Sequence, residues 1–272
     1  MTKKALLVGV NRYPAPINSL RGCLNDVAQV RALVESRLAF PPTAVRTLTD
    51  AAATTAAIVA GLRWLVKGAA AGDVLLFHYS GHGSQVDDRN GDELDDNLDE
   101  IICPFDLDWD QPFTDDNLYA ILKDLPAGAN LSVILDCCHS GTGLRDLGDP
   151  WLRHSPRFLD PPQGSVPGRL RLRAMRRFGA RAAQRGAILL AACRSDQVAA
   201  DASIDNDYHG AFTYYLCRAL ETANCATSYA GLLPQVRRLL ARNGFEQVPQ
   251  LEGPARLLEQ TVFTAPVELA VG

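Results

Sequence analysis

The chain has 272 residues, 47% of them hydrophobic, which is enough apolar material for one large core or two small ones. A formal net charge of −4 argues against a general nucleic-acid binder, and no apolar run approaches the roughly 18 residues of a membrane span. Seven cysteines, an odd number in a chain too long to need disulfide staples, together with no secretory pattern after MTKK, predict reduced thiols in a cytoplasmic protein.

From the N-terminus, KALLVGV (4–10) has the pattern of a buried strand, and a helical stretch follows near 22–38. VRTLTD is a weaker strand, and Thr54 to Lys67 is again helical. DVLLFHYS (73–80) and NLSVILDCC (130–138) have the strongest strand character, being rich in β-branched and large apolar residues. A short helix over Asp115 to Asp124 separates them. GAILLAAC (186–193) predicts a further strand, helices follow near 210–222 and 229–242, and QVPQLEG predicts a last extended piece. Alternation of this kind predicts an α/β fold, a mostly parallel sheet with helices on both faces.

Residues 145–186 interrupt the alternation with Pro150, Pro156, Pro161, Pro162 and Pro167, several glycines and many arginines, so this segment is expected to be an exposed excursion. Because strands resume after it, we read a single domain over 1–272. It consists of a larger portion (1–145), an Arg/Pro-rich insertion (146–186) and a smaller portion (187–272). Charge is strongly segregated. Between Asp87 and Asp116 there are thirteen acids and one base, and between Arg153 and Arg185 nine arginines and one acid. Opposite blocks of this size attract each other or a partner of the other sign, whereas either block alone reads as solvated surface.

In open α/β sheets, sites gather at the carboxyl ends of parallel strands. Two of the best strands end in reactive residues: FHYSGHGSQ places His82 just past one end, and VILDCCHSG places Cys137 and Cys138 at the other. A thiol is only slightly ionised at neutral pH, and a histidine within hydrogen-bond reach can take its proton and return it to a leaving amine. Gly83, with no side chain, can bring its N–H close to a substrate carbonyl and, with the N–H of the nucleophile, form an oxyanion hole. Alone, a Cys-Cys pair is two small buried residues and a Gly-His-Gly is a turn. On an alternating strand, Asp136 and Cys138 share a face and Cys137 points the other way.

HYSGHG (78–83) and DCCHSG (136–141) resemble the paired active-site motifs of metacaspases, the caspase-like cysteine peptidases of plants, fungi, protists and bacteria. GCLNDV (22–27), the acidic tract NGDELDDNLDEIICPFD (90–106), and AACRSDQVAAD (191–201) followed by GAFTYYL (210–216) extend the resemblance over nearly the whole chain outside the arginine-rich insertion. It implies the caspase-hemoglobinase fold with a central sheet of about six strands. It also implies a cysteine endopeptidase cleaving protein or peptide substrates after Arg or Lys, acting as a monomer. By the resemblance Cys138 is the nucleophile, His82 the base and then acid, and Gly83 with Cys138 the oxyanion hole. Asp26, Ser80 and Asp136 would line the basic specificity pocket. His78 and His139 are expected to be packing residues, and no third catalytic residue is evident.

The resemblance further implies calcium as an activator, bound by four aspartates at positions matching Asp99, Asp115, Asp116 and Asp146. The segment after Cys138 is one residue longer than the family's, which sets Arg145 against Asp146 for the fourth position. Taken by itself the tract is not an EF-hand, because the glycine falls too early, and a solvated acidic loop is the plain alternative. The arginine-rich insertion sits where caspase-like chains join their two portions. It suggests self-cleavage at Arg169, Arg171, Arg173, Arg176 or Arg177, or a cationic cover over the acidic pocket. Zinc is a poor fit because adjacent cysteines do not easily take two tetrahedral positions. The competing function is a catalytically silent caspase-fold interaction module.

Overall fold

Short apolar runs can be strands with both faces buried only where helices cover each side, and the central sheet meets that condition. The computed structural model describes residues 1–87, 98–123, 125–139, 154–162, 187–194 and 196–265. The elements run β1 (Lys3–Gly9), α1 (Cys23–Arg37), β2 (Val45–Thr49), α2 (Thr55–Val66), β3 (Val74–Ser80), β4 (Gly83–Asp87), β5 (Leu98–Ile102), β6 (Phe113–Thr114) and α3 (Asp115–Leu122). They continue with β7 (Asn130–Asp136), β8 (His154–Pro156), β9 (Ala187–Ala191), β10 (Ala200–Ile204), β11 (Asp207–Gly210), α4 (Ala211–Thr222), α5 (Tyr229–Arg242), β12 (Gln250–Glu252) and α6 (Ala255–Leu258).

Six strands form the central sheet in the order β12-β9-β7-β3-β1-β2. All neighbours are parallel except β12, which runs antiparallel to β9. This is the α/β architecture expected from the alternation. Two small three-stranded sheets, β11-β10-β8 and β4-β5-β6, sit beside it. Among the described residues no helix is long and apolar enough to cross a membrane.

The two faces of the sheet divide the core. Ala5, Leu7, Val74, Leu76, Ile134, Ile188 and Leu190 join residues of α1, α4 and α5 in one cluster. Their sequence neighbours Leu6, Val8, Leu75, Phe77, Val133, Leu135 and Leu189 join residues of α2 and α3 in the other. The period-two alternation of strand side chains thus supplies both cores from continuous apolar runs. Two expectations need correction. The strand read through Cys138 ends at Asp136, because Cys137 and Cys138 leave the ladder. The excursion is not exposed throughout: Arg157 and Phe158 within it are buried, and β8 pairs with β10.

Candidate active site

The order of the sheet reverses at β1, which has β2 on one side and β3 on the other, so the carboxyl ends of β1, β3 and β7 open onto a topological switch point. Register aligns these ends. Gly9 pairs with Ser80, and Ser80 pairs with Asp136. Asp26 reaches the same place from the first turn of α1, where the sequence alone could equally make it a surface carboxylate; it is fully buried. Its Oδ1 accepts a hydrogen bond from the Gly210 N–H at 2.9 Å. Asp136 Oδ2 accepts from the Thr213 N–H at 2.9 Å and the Thr213 hydroxyl at 2.7 Å, on the first turn of α4, so an unpaired helix N-terminus meets a carboxylate.

Between these carboxylates lies the guanidinium of Arg157, itself fully buried. Its Nη2 donates to Asp26 Oδ2 at 2.8 Å and to Asp201 Oδ1 at 3.0 Å. Its Nη1 donates to the Ser80 hydroxyl at 2.7 Å and lies 3.3 Å from Asp136 Oδ1. Ser80 in turn donates to Asp26 at 2.7 Å. Burial disfavours the charge on Arg157, but the surrounding acids outweigh it and hold the guanidinium firmly protonated. Burial raises the Asp26 carboxyl, yet Arg157 and the hydrogen bonds prevail and set it below the usual carboxylate range. For Asp136 burial wins and pushes the carboxyl up to about 6, with Arg157 opposing and Asp26 adding to the rise.

The backbone around Arg157 is held as closely as its side chain. The Arg157 N–H donates to the Ala199 carbonyl at 3.0 Å, and its own carbonyl accepts from both the Gly83 and the Cys138 N–H, each at 3.1 Å. On the N-terminal side, Pro156, Ser155 and His154 pair antiparallel with Ala200, Asp201 and Ala202. On the C-terminal side, Phe158 forms a parallel bridge with Gly83. The segment therefore crosses the strand ends in extended form. Two N–H groups converge on one carbonyl, and one cationic side chain is sunk among three carboxylates. Gly83 is required by close approach, since a Cβ there would lie 2.2 Å from the Cys138 carbonyl oxygen.

His82 Nε2 lies 2.8 Å from the backbone carbonyl of Asn18, which can only accept, so Nε2 carries the proton and Nδ1 keeps its lone pair. Nδ1 is buried and has no hydrogen-bond partner among the described residues. Burial lowers the His82 pKa, the Asn18 carbonyl opposing this, so the ring is neutral at pH 7. The ring stacks at a tilt against Tyr13, with centroids 5.0 Å apart, and the Tyr13 hydroxyl accepts from the His82 N–H at 3.0 Å. Cys138 Sγ is buried against the Ala199 N–H and lies 3.8 Å from Cys193 Sγ.

The structure thus gathers Asp26, Ser80, Gly83, Asp136 and Cys138 around Arg157, with His82 just beyond the same strand end. Cys137 belongs to the opposite core cluster from Cys138, so alternation persists past the end of the ladder. His78 is buried with Nε2 3.2 Å from the Thr213 hydroxyl, and His139 Nε2 is 3.7 Å from Cys137 Sγ. Sequence reasoning missed three participants. Asp201 closes the stretch AACRSDQVAAD, but nothing in its spacing named a partner. Asn18 acts through its backbone, which no side-chain pattern reports. Arg157 lay outside the arginines singled out for cleavage; those, Arg169 to Arg177, fall outside the described residues, as does Asp146.

Asp99 and Asp116 line one cavity and Asp115 another. Among the described residues no three acidic, histidine or cysteine side chains come together to hold a metal ion.

Residues 3–147 match the family described as the metacaspase, peptidase C14 domain. The chain is 33% identical to metacaspase-1 of Schizosaccharomyces pombe, across 92% of this chain and 66% of that protein. It is 32% identical to metacaspase-1 of Meyerozyma guilliermondii, across 92% and 68%, and 36% identical to metacaspase-3 of Arabidopsis thaliana, across 85% and 63%. The chain spans about two thirds of the length of these curated relatives. A crystal structure of a Geobacter sulfurreducens protein superposes with a TM-score of 0.71 at 26% identity, covering 98% of this chain and all of that one.

Proposed function

The chain belongs to the metacaspase family of peptidase C14 domains, and from that premise we propose that it is a cysteine endopeptidase that cleaves after arginine or lysine. The observation that carries the reading is the placement of Arg157, whose guanidinium lies among Asp26, Asp136 and Asp201 while its carbonyl is held by two N–H groups. A buried pocket of this kind rejects a side chain that leaves its carboxylates unpaired.

In the proposed reaction, His82 Nδ1 takes the thiol proton of Cys138. The sulfur forms a bond to the carbonyl carbon, and the N–H groups of Gly83 and Cys138 stabilise the oxyanion. His82 then returns the proton to the departing nitrogen as the C–N bond breaks. Water, activated by the same ring, hydrolyses the thioester and restores the thiol. The Asn18 carbonyl takes the orienting part that a carboxylate takes in other triads.

The same placement supports self-cleavage between Arg157 and Phe158, with the uncut segment keeping the pocket closed until then. Calcium remains a proposed activator, with Asp99, Asp115, Asp116 and Asp146 as its proposed ligands, and no step depends on it. The test is hydrolysis of fluorogenic peptides ending in Arg, Lys or Asp, with calcium or a chelator, beside mass spectrometry of the chain. We expect turnover of Arg and Lys peptides only, and a fragment beginning at Phe158 that is absent from Cys138→Ala. A folded wild-type chain that stays intact and cleaves nothing in either condition favours the silent interaction module.

A further inference from the structure

Among the described residues, the small sheet β4-β5-β6 leaves one edge of β4 unpaired by another strand of that sheet, since β5 occupies the other side. The residues after Arg157 lie along this edge. Gly83 uses both of its backbone groups on the segment. Its N–H donates to the Arg157 carbonyl at 3.1 Å, and its carbonyl accepts from the Leu159 N–H at 2.9 Å. The next residue, Ser84, is fully buried, and its hydroxyl donates to the Leu159 carbonyl at 2.6 Å. Phe158 is 7% exposed and belongs to the core cluster that includes Cys138. Leu159 packs against the opposite cluster.

We propose that Gly83 and Ser84 form a docking site on the leaving-group side of the cleaved bond, taking two extended apolar residues by strand addition to the edge of β4. The inference rests on the peptidase reading and adds a second selectivity, for the two residues downstream of the basic one. Gly83 couples the two: the residue whose N–H faces the reacting carbonyl also fixes the second residue downstream through its carbonyl. Ser84 binds directly, its hydroxyl meeting the substrate backbone at the second residue downstream of the reacting bond.

The test uses the full chain and four substrates identical up to their arginine. One carries only an aminocoumarin after it, one continues Phe-Leu, one continues Asp-Asp, and one continues Phe-Leu with the Leu nitrogen methylated. We expect kcat/KM to fall by about tenfold or more from Phe-Leu to Asp-Asp, because two apolar side chains lose their burial. Methylation, which removes the N–H that Gly83 accepts, should lower it about fivefold. In Ser84→Ala the ratio of Phe-Leu to aminocoumarin turnover should drop about fivefold, the value of one hydrogen bond. Equal rates on Phe-Leu and Asp-Asp, or an unchanged ratio in folded Ser84→Ala, overturn the docking site while leaving the peptidase reading intact. Failure to cut even the aminocoumarin substrate removes the peptidase reading and the docking site with it. The substrate arms need no variant, so a poorly folding Ser84→Ala does not spoil the test.

Discussion

The two adjacent cysteines face different surroundings. Cys137 joins the cluster under α2 and α3, and burial pushes its thiol well above the ordinary range. Cys138 joins the cluster on the other face and contributes its N–H to the Arg157 carbonyl. Cys138→Ala should therefore abolish hydrolysis, whereas Cys137→Ala should keep most of it and lose about 1 kcal/mol of stability from one small buried group. Rates of the two variants and their thermal midpoints decide; an active Cys138→Ala overturns the assignment. A pH profile tests the pocket. Asp136 is ionised above about 6 and neutral below it, so it offers its charge to a guanidinium only on the alkaline side. Burial lowers the His82 pKa below that of an ordinary histidine, with the Asn18 carbonyl opposing, which favours the neutral ring as a base. Thus kcat/KM for an arginine peptide should fall as pH drops from 7 toward 5. A flat profile across this range counts against Asp136 as a pocket carboxylate.

At the scale of elements, the segment from β8 to Leu159 lies as a strand between two small sheets. Its hydrogen bonds go to β10 before Arg157 and to Gly83 and Ser84 after it. The Arg157 side chain adds a second anchor to these backbone bonds. Removing Arg157 leaves Asp26, Asp136 and Asp201 together with no cation, and breaking a buried pair in this way costs about 3–5 kcal/mol unless water enters. For Arg157→Ala we expect a lower melting temperature in the intact chain and no fragment beginning at Phe158. We also expect faster early hydrolysis of an added arginine peptide, because the segment no longer holds the pocket. Arg157→Lys should restore the fragment. Slower early hydrolysis in Arg157→Ala would show that the segment is not a competitor for the pocket.

Across the whole molecule, the site is built from both portions of the chain. The larger portion supplies Asp26, Ser80, His82, Gly83, Asp136 and Cys138, while Asp201, Gly210 and Thr213 come from the smaller one. The smaller portion also inserts β9 between β7 and β12 and packs α4 and α5 over one face of the sheet. A cut between Arg157 and Phe158 should therefore leave the two fragments associated. They should co-elute by size exclusion and separate only in denaturant, because the interface is the domain core itself. Because the segment lies in its own chain's site, the rate of self-cleavage should be first order and independent of chain concentration. A rate that rises with concentration points to cutting between molecules.

Residue order is enough to specify the alternating fold and the separation of Cys137 from Cys138. It also specifies which glycine and histidine stand at strand ends. All of these come from local periodicity, which a strand or helix converts into a face without reference to the rest of the chain. Asp26, Ser80 and Asp136 were legible only through the resemblance of their motifs; register and the packing of α1 and α4 then brought them within reach of one guanidinium. The parts of Asn18, Asp201 and Arg157 emerge from long-range packing. Asn18 acts through a backbone carbonyl, which carries no residue signature. Asp201 meets Arg157 across 44 positions of sequence. A proline-bearing, arginine-rich stretch has the composition of an exposed loop, yet the residues around Arg157 are held extended by β10 and β4 and by Cys138 and Ala199. Burial of a charged side chain depends on partners that are distant in sequence, and only the folded chain brings those partners together.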